Sequence, residues 1–244
     1  MRWENGKLYY YNPDGKKVYG VQRIAGKYYK FNELTGAFEK MVNQRNVIDI
    51  SVHNGNIDWL TVKNSGLVDA VILRLGFGYA DIDRLFLHNM SELNRLNIPF
   101  SVYLFSYASN GWEADREANF VINTIRLYNV NINTNIFSLY YDLEDWEIRS
   151  TGQNSYGINK ATYGDIISTF VGKIESTLGI KTRLYASKDY ILNRFPEYTH
   201  PYATWVAQWS DTLTYDKAVE GWQYTSNGAI PGITGRVDLN KFFY

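Results

Sequence analysis

The sequence predicts an α/β protein: an irregular, TIM-like β/α barrel with a small N-terminal segment of β-hairpin repeats. Three observations lead there. Eight short apolar runs follow residue 45, the intervals between the earlier ones carry helical spacing, and the intervals between the later ones are too short for helices. The first forty residues behave differently, because they repeat themselves when shifted by twenty. The chain therefore divides near residue 44, into hairpin repeats over 1–44 and a barrel over 45–244.

In the first segment Gly6-Lys7-Leu8-Tyr9-Tyr10-Tyr11-Asn12 aligns with Gly26-Lys27-Tyr28-Tyr29-Lys30-Phe31-Asn32, each followed by a glycine turn at Gly15 or Gly36. Alternating aromatic and polar residues bounded by Asn-Pro-Asp-Gly fit short antiparallel strands. A unit this small cannot bury its own aromatic face, so it must stack on a neighbour.

The eight barrel strands are expected at 47–51, 70–76, 100–108, 137–144, 182–187, 203–209, 221–226 and 236–240. Eight strands in about 200 residues meet the minimum for a β/α barrel. Helices are expected at 84–97, 113–128 and 160–178, with apolar residues at three and four spacing such as Phe120, Ile122, Ile125 and Leu127. Between Trp209 and Gly221 there is room for one small turn, and 229–235 reads as a hairpin loop. The last strands should therefore pair antiparallel.

Composition excludes several classes of function. Lysines and arginines number 25, as do aspartates and glutamates, so no net charge attracts nucleic acid or an anionic membrane surface. There is no cysteine among the 244 residues, which removes disulfides, thiolate catalysis and cysteine-ligated metals. His53, His88 and His200 are scattered without an HExxH pattern, and no metal or cofactor is expected. Gly76-Phe77-Gly78 follows a strand, but Asp81 stands where a dinucleotide fingerprint needs its third glycine. No apolar run is long enough to span a membrane, and the N-terminus is charged and aromatic. What remains is an aromatic share of 16%. Flat rings suit sugars, cations and hairpin cores.

Chemistry in such a barrel gathers at the C-terminal ends of the strands. In Tyr140-Tyr141-Asp142-Leu143-Glu144, positions two apart on a strand share a face, which puts the carboxylates of Asp142 and Glu144 roughly 6 to 7 Å apart. Two inward acids raise each other's pKa, as glycoside hydrolysis requires: one protonates the departing oxygen while another carboxylate stabilises or attacks the cationic sugar carbon. Asp49 lies in the first apolar strand and Asp238 in the last, and these strands are neighbours in a closed barrel. Each acid could instead be a structural ion pair with Arg74 or Arg236.

Two resemblances follow from these residues. The glycine, lysine, paired aromatics and asparagine of the first segment resemble the cell-wall-binding repeats, of choline-binding and glucan-binding type, carried by bacterial and phage wall hydrolases. In the choline-binding version, rings from adjacent hairpins cage a quaternary ammonium. This chain departs from the pattern: Arg23 stands where the first unit has Trp3, and the usual Trp-Tyr-Tyr is Leu8-Tyr9-Tyr10 or Tyr28-Tyr29-Lys30. The segment is then either an anchor, on choline-decorated teichoic acid or another wall polymer, or a spacer docked on the next domain.

The second resemblance spans Val47 to the C-terminus. Asp49-Ile50-Ser51 with Asn54-Gly55-Asn56-Ile57-Asp58-Trp59, the Asp142-x-Glu144 pair, Trp205-Val206-Ala207-Gln208-Trp209, Trp222-Gln223-Tyr224 and Gly235-Arg236-Val237-Asp238-Leu239-Asn240 resemble, in order, glycoside hydrolase family 25 lysozymes. The resemblance implies an irregular barrel of about five β/α units with a more antiparallel end. It also implies a muramidase acting on bacterial peptidoglycan, at the β-1,4 bond between N-acetylmuramic acid and N-acetylglucosamine. Glu144 would be the general acid, and Asp142, Asp49 and Asp238 the acids around the reacting sugar. Arg74, Tyr103, Tyr107, Tyr185, Trp205, Gln208 and Tyr224 would line the groove. Such an autolysin or endolysin would work outside the cell at the wall, secreted or released by a phage at lysis. Departures at Gly76-Phe77-Gly78, at Tyr103-Leu104-Phe105 and at Asn54 bear on substrate preference and leave the four acids intact. The alternative is a non-catalytic peptidoglycan-binding protein on the same barrel.

Overall fold

The computed structural model describes residues 1–25, 27–133, 137–148 and 150–244, without the side chain of Arg23. Gly26, which opens the second repeat, lies outside them. Strands β1 (Arg2–Glu4) and β2 (Lys7–Tyr9) pair antiparallel, and β3 (Gly20–Ile24), β4 (Lys27–Phe31) and β5 (Phe38–Val42) form a three-stranded antiparallel sheet. Asn5 and Gly6, which join β1 to β2, both have positive φ (48° and 76°), the geometry of a tight hairpin whose twist matches its strands.

After Asn43 the chain enters the barrel without a linker. In chain order the elements are β6 (Gln44–Ile50), α1 (Trp59–Ser65), β7 (Ala70–Phe77), β8 (Asp81–Ile82), α2 (Phe86–Leu96), β9 (Phe100–Phe105), α3 (Gly111–Tyr128) and β10 (Leu139–Asp142). They continue with β11 (Glu147–Ile148), β12 (Gln153–Asn154), α4 (Lys160–Leu178), β13 (Thr182–Ser187), α5 (Lys188–Arg194), β14 (Ala203–Ala207), β15 (Gly221–Gly228) and β16 (Val237–Phe243). Eight of these strands close in the order β6-β7-β9-β10-β13-β14-β15-β16 and back to β6. Pairing is parallel from β6 through β15, and β16 runs antiparallel to both neighbours. The short connection from β15 to β16 explains that reversal, because a parallel crossover needs a dozen or more residues; the longer stretch from β14 to β15 suffices for one, so that pair is parallel, not antiparallel as the sequence predicts.

Among the described residues five α-helices form, two more than the spacing predicts, because α1 and α5 have only seven residues each and too few turns to show a period. Local chemistry still sets their ends. Asp58, Asn110, Asn159 and Ser187 each accept a backbone N–H at a helix start, and Gly66, Asn97, Asn129 and Gly179 close helices in the left-handed conformation. The predicted stripe of α3 holds at Ile122 and Ile125, with Phe120 at its edge, and fails at Leu127. Its buried face is Ala114, Glu117, Ala118, Val121, Ile122 and Ile125, while Leu127 is exposed.

Strand alternation creates two cores. Outward residues such as Ile48, Val71, Leu73, Val102, Leu184 and Val206 pack under the helices. Inward residues Val47, Ile72, Tyr103, Tyr140, Tyr185, Trp205 and Phe242 fill the barrel. The N-terminal sheet docks at the opposite end from the strand C-termini. Tyr28 stacks on Phe243 at 3.8 Å, and Glu33 pairs with Lys181 (2.8 Å) and Arg183 (3.1 Å). Among the described residues no helix is long and apolar enough to cross a membrane.

Candidate active site

The parity that sends Val47 and Ile72 inward also sends Asp49 and Arg74 inward, one step nearer the strand C-termini. The same holds for Asp142 after Tyr140 and for Gln223 on β15. The antiparallel β16 contributes in the reverse sense, with Phe242 deep, then Asn240, then Asp238 at the mouth. Register ties these positions together: Asp238 lies opposite Asp49, Asn240 opposite Gln223, and Asp142 opposite both Phe105 and Tyr185. Glu144 sits two residues past the end of β10, where Leu143 N–H still donates to the Tyr185 carbonyl at 3.0 Å.

Asp49 is buried and its Oδ2 accepts from Asn240 Nδ2 (2.7 Å) and Gln223 Nε2 (3.2 Å). Gln223 Oε1 in turn accepts from the Tyr185 hydroxyl (2.9 Å) and from Trp209 Nε1 (3.0 Å). Asn240 is held from below by Trp205 Nε1, which donates to its Oδ1 at 2.8 Å. Arg74 does not pair with the acids. Its Nε and Nη2 both lie 2.8 Å from Asp83 Oδ2, and Asp83 also accepts the backbone N–H groups of Val52 and Leu85 at 2.9 Å. A Cβ at Gly76 would fall 2.2 Å from the Asp81 carbonyl oxygen, so the turn that brings Asp83 beneath Arg74 requires glycine there.

Burial and mutual repulsion dominate the electrostatics. Burial, reinforced by the Asp238 charge, pushes Asp49 up to about 8 against the hydrogen bonds from Asn240 and Gln223. Burial and the adjacent Glu144 raise Asp142 well above the carboxylate range, although Arg74 opposes them. Glu144 is raised by burial, with a hydrogen bond from Tyr185 acting against it and the Asp238 charge adding to it. Asp238 is also raised by burial. One oxygen of Asp142, Oδ1, is buried without a hydrogen-bond partner. Four acids with raised pKa values in one cleft titrate as a set, and at neutral pH they hold fewer than four negative charges. Such a set can hold a proton and a carboxylate side by side.

The structure brings the four expected acids together, with Tyr103, Tyr185 and Arg74 beside them. Tyr107 stands at the rim, edge-on to Phe77, Phe105 and Trp146. Three expected groove residues lie elsewhere. Trp205 is 1% exposed, packed among Tyr103, Tyr140, Tyr185 and Phe242 beneath the acids, so its ring offers no face to a ligand. Gln208 spends its amide on its own loop, donating to Ser210 Oγ and the Thr212 carbonyl and accepting from Thr214. Tyr224 shares the parity of Trp222 and packs outside the barrel with it, under Lys241.

Sequence reasoning passed over Gln223, Asn240, Asp83 and Trp209. Asn240 was legible as the residue two after Asp238 on one strand face, and Gln223 as an amide inside an apolar strand. Asp83 carries no such signal, because only the β7–β8 turn brings it to Arg74. Two clefts, of about 610 and 720 Å3, lie between the N-terminal strands and the bottom of the barrel, and none of the four acids lines either.

Comparison with known proteins agrees with this geometry. The profile for glycosyl hydrolases family 25 matches residues 48–233, which contain three of the four acids. Comparison with curated protein sequences finds no match. Among solved structures, the modular autolysin LytC from Streptococcus pneumoniae, in complex with a synthetic peptidoglycan ligand, is 31% identical with a TM-score of 0.74 over 99% of this chain. The chain spans 57% of that protein's length. The fold is shared with a bacterial lysozyme from Streptomyces coelicolor (20% identity, TM-score 0.64, 81% of this chain and 91% of that one). It is also shared with the catalytic domain of endolysin ply40 from bacteriophage P40 of Listeria monocytogenes (20%, 0.65, 82% and 93%). With a family profile covering most of the chain and a closed barrel presenting the acids at its mouth, this protein belongs to glycosyl hydrolases family 25.

Proposed function

We propose that the protein is a peptidoglycan muramidase that hydrolyses the β-1,4 bond between N-acetylmuramic acid and N-acetylglucosamine. The observation that carries this reading is the convergence of Asp49, Asp142, Glu144 and Asp238 at one mouth, all with pKa values raised by burial. Glu144 is the general acid. It is the less deeply buried member of the Asp142–Glu144 pair and so is the one of the two that a ligand reaches, whereas Asp142 is fully buried. Its proton passes to the glycosidic oxygen as the bond to the anomeric carbon breaks. The developing positive charge on that carbon meets the carboxylates of Asp142 and Asp238, and water supplies the hydroxyl of the new reducing end. Asp49, fixed by Asn240 and Gln223 and itself raised to about 8, is mostly protonated at neutral pH, which leaves the negative charge of the cluster to its neighbours.

Residues 45–244 are the catalytic part in this reading, and residues 1–44 attach the enzyme to choline-decorated teichoic acid or another wall polymer. The likeness to LytC runs through those N-terminal strands as well. The enzyme works at the bacterial wall, by secretion or by release at lysis. Digestion of purified peptidoglycan, reduction of the products and mass spectrometry test this. New muramic acid ends are expected from the wild type, and Glu144→Gln should lower the rate by roughly 1,000-fold, about 4 kcal/mol of transition-state stabilisation. Glucosamine ends would overturn the bond assignment, an active Glu144→Gln would overturn the acid, and wall binding without new ends would leave a peptidoglycan-binding protein.

A further inference from the structure

Trp209 is two-thirds exposed, at 66%, yet its indole is not loose. Its Nε1–H donates to Gln223 Oε1 at 3.0 Å, and the other edge of Gln223 donates to Asp49. The loop behind it is tied down by the Gln208 amide, which bonds Ser210, Thr212 and Thr214. Two further bonds anchor Gln208 itself. Its N–H donates to the Gln223 carbonyl at 3.1 Å, and its carbonyl accepts from Trp222 Nε1 at 2.8 Å. A large ring has thus been left in solvent, orientated by a chain of hydrogen bonds that ends on a buried acid of the candidate site. Packing cannot explain the ring, because most of its surface is bare, and the hydrogen bond alone would need only a small donor.

We infer that Trp209 is a sugar-stacking platform: its exposed face holds one N-acetylated pyranose of the glycan next to the scissile bond. The inference rests on the muramidase reading and adds a subsite to it. The chemistry suits the ring. The axial C–H face of a β-linked pyranose is apolar and flat, and indole offers a large rigid surface with few rotatable bonds to freeze. The Trp209–Gln223–Asp49 chain fixes the platform relative to the acids, so a sugar resting on it is registered against Glu144.

The test measures initial rates on a soluble tetrasaccharide of alternating N-acetylglucosamine and N-acetylmuramic acid. Wild type, Trp209→Ala and Trp209→Phe are compared, with near-ultraviolet circular dichroism as a check of folding. Trp209→Ala should raise KM roughly tenfold with kcat within about threefold, and Trp209→Phe, which keeps a ring but no N–H, should recover most of that loss. Two results would overturn the platform while the muramidase reading stood: a Trp209→Ala KM within about twofold of a turning-over wild type, or equal KM rises in both variants, which would assign the effect to the hydrogen bond. A wild type that makes no new reducing ends would sink the muramidase reading and the platform with it.

Discussion

Tyr141 and Asp142 are neighbours on β10 and face opposite sides of the barrel wall, each toward a buried carboxylate system. Behind the wall Glu117, fully buried on α3, accepts from the hydroxyls of Tyr141 and Ser106 and from Tyr107 N–H at 2.7 Å. In front of it Asp142 has an oxygen without a partner and three other acids for company. Burial raises both, Glu117 to about 7, but only behind the wall do donors compensate for it. A satisfied buried carboxylate rigidifies a fold, whereas an unsatisfied cluster stores unfavourable energy that a cationic transition state can release. The same strand thus shows a structural acid and a chemical one.

Substitution should separate the two. Glu117→Ala leaves three donors and a cavity behind, so a loss of about 3 kcal/mol is expected, or roughly 6 to 12 °C in Tm for a chain of this length. Thermal unfolding reads this, and a fall of less than about 2 °C would place Glu117 with the functional acids. Asp142→Asn should do the reverse. It replaces a carboxyl whose charged form the fold disfavours with a neutral amide, so stability should rise by about 1 kcal/mol while turnover of peptidoglycan falls by at least about 100-fold. A destabilised Asp142→Asn would show that Asp142, too, belongs to the scaffold.

How legible this contrast was in the sequence depends on the range of the signal. The inward acids were readable, because strand period and apolar flanks fix the side of Asp49, Asp142 and Asp238 without any knowledge of partners. Glu117 was also readable in principle, lying three after Ala114 and four before Val121 in the buried stripe, but a stripe drawn through Phe120 and Leu127 hides it. Trp205, Gln208 and Tyr224 were misplaced for a different reason. Their chemistry suits a sugar, and only depth along the strand, loop closure and parity about Gln223 show that each is occupied elsewhere. Pairings made by turns, such as Arg74 with Asp83, had no pattern to read.

Acidity offers a finer test. Every acid at the mouth, and Glu117 behind it, has its pKa raised on folding, from 3.8 to about 8 for Asp49 and from 4.5 to about 7 for Glu117. The folded state therefore binds more protons than the unfolded chain between about pH 4 and pH 8, and stability falls as pH rises through that window. Tm should be highest near pH 4 to 5. Asp49→Asn should flatten the decline up to pH 8, with a gain on the order of 2 kcal/mol at pH 8 and little at pH 4. Unfolding midpoints in urea across pH decide it, and a wild type whose stability rises from pH 5 to 8 would remove the strained cluster from the account.

The smallest effect is expected at Glu33, which ties the N-terminal sheet to the barrel bottom and calibrates the low end of the comparison. Burial would raise this carboxyl, but the hydrogen bond and charge of Lys181, with that of Arg183, hold it below the usual value. The sign is thus opposite to that of the mouth acids: its contribution is present above about pH 4.5 and is lost as pH falls. Glu33 is 45% exposed and Arg183 keeps Glu175 and the Thr182 carbonyl, so screening limits the cost of Glu33→Ala to about 0.5 to 1 kcal/mol. Salt should shrink that cost further, whereas it should leave the Glu117→Ala loss unchanged, because water and ions do not reach the buried network. Urea midpoints of both variants at low and high salt make the comparison. A Glu33→Ala loss as large and as salt-insensitive as that of Glu117→Ala would mean that the N-terminal sheet is built into the barrel's core stability, and that removing residues 1–44 would unfold the acids along with the anchor.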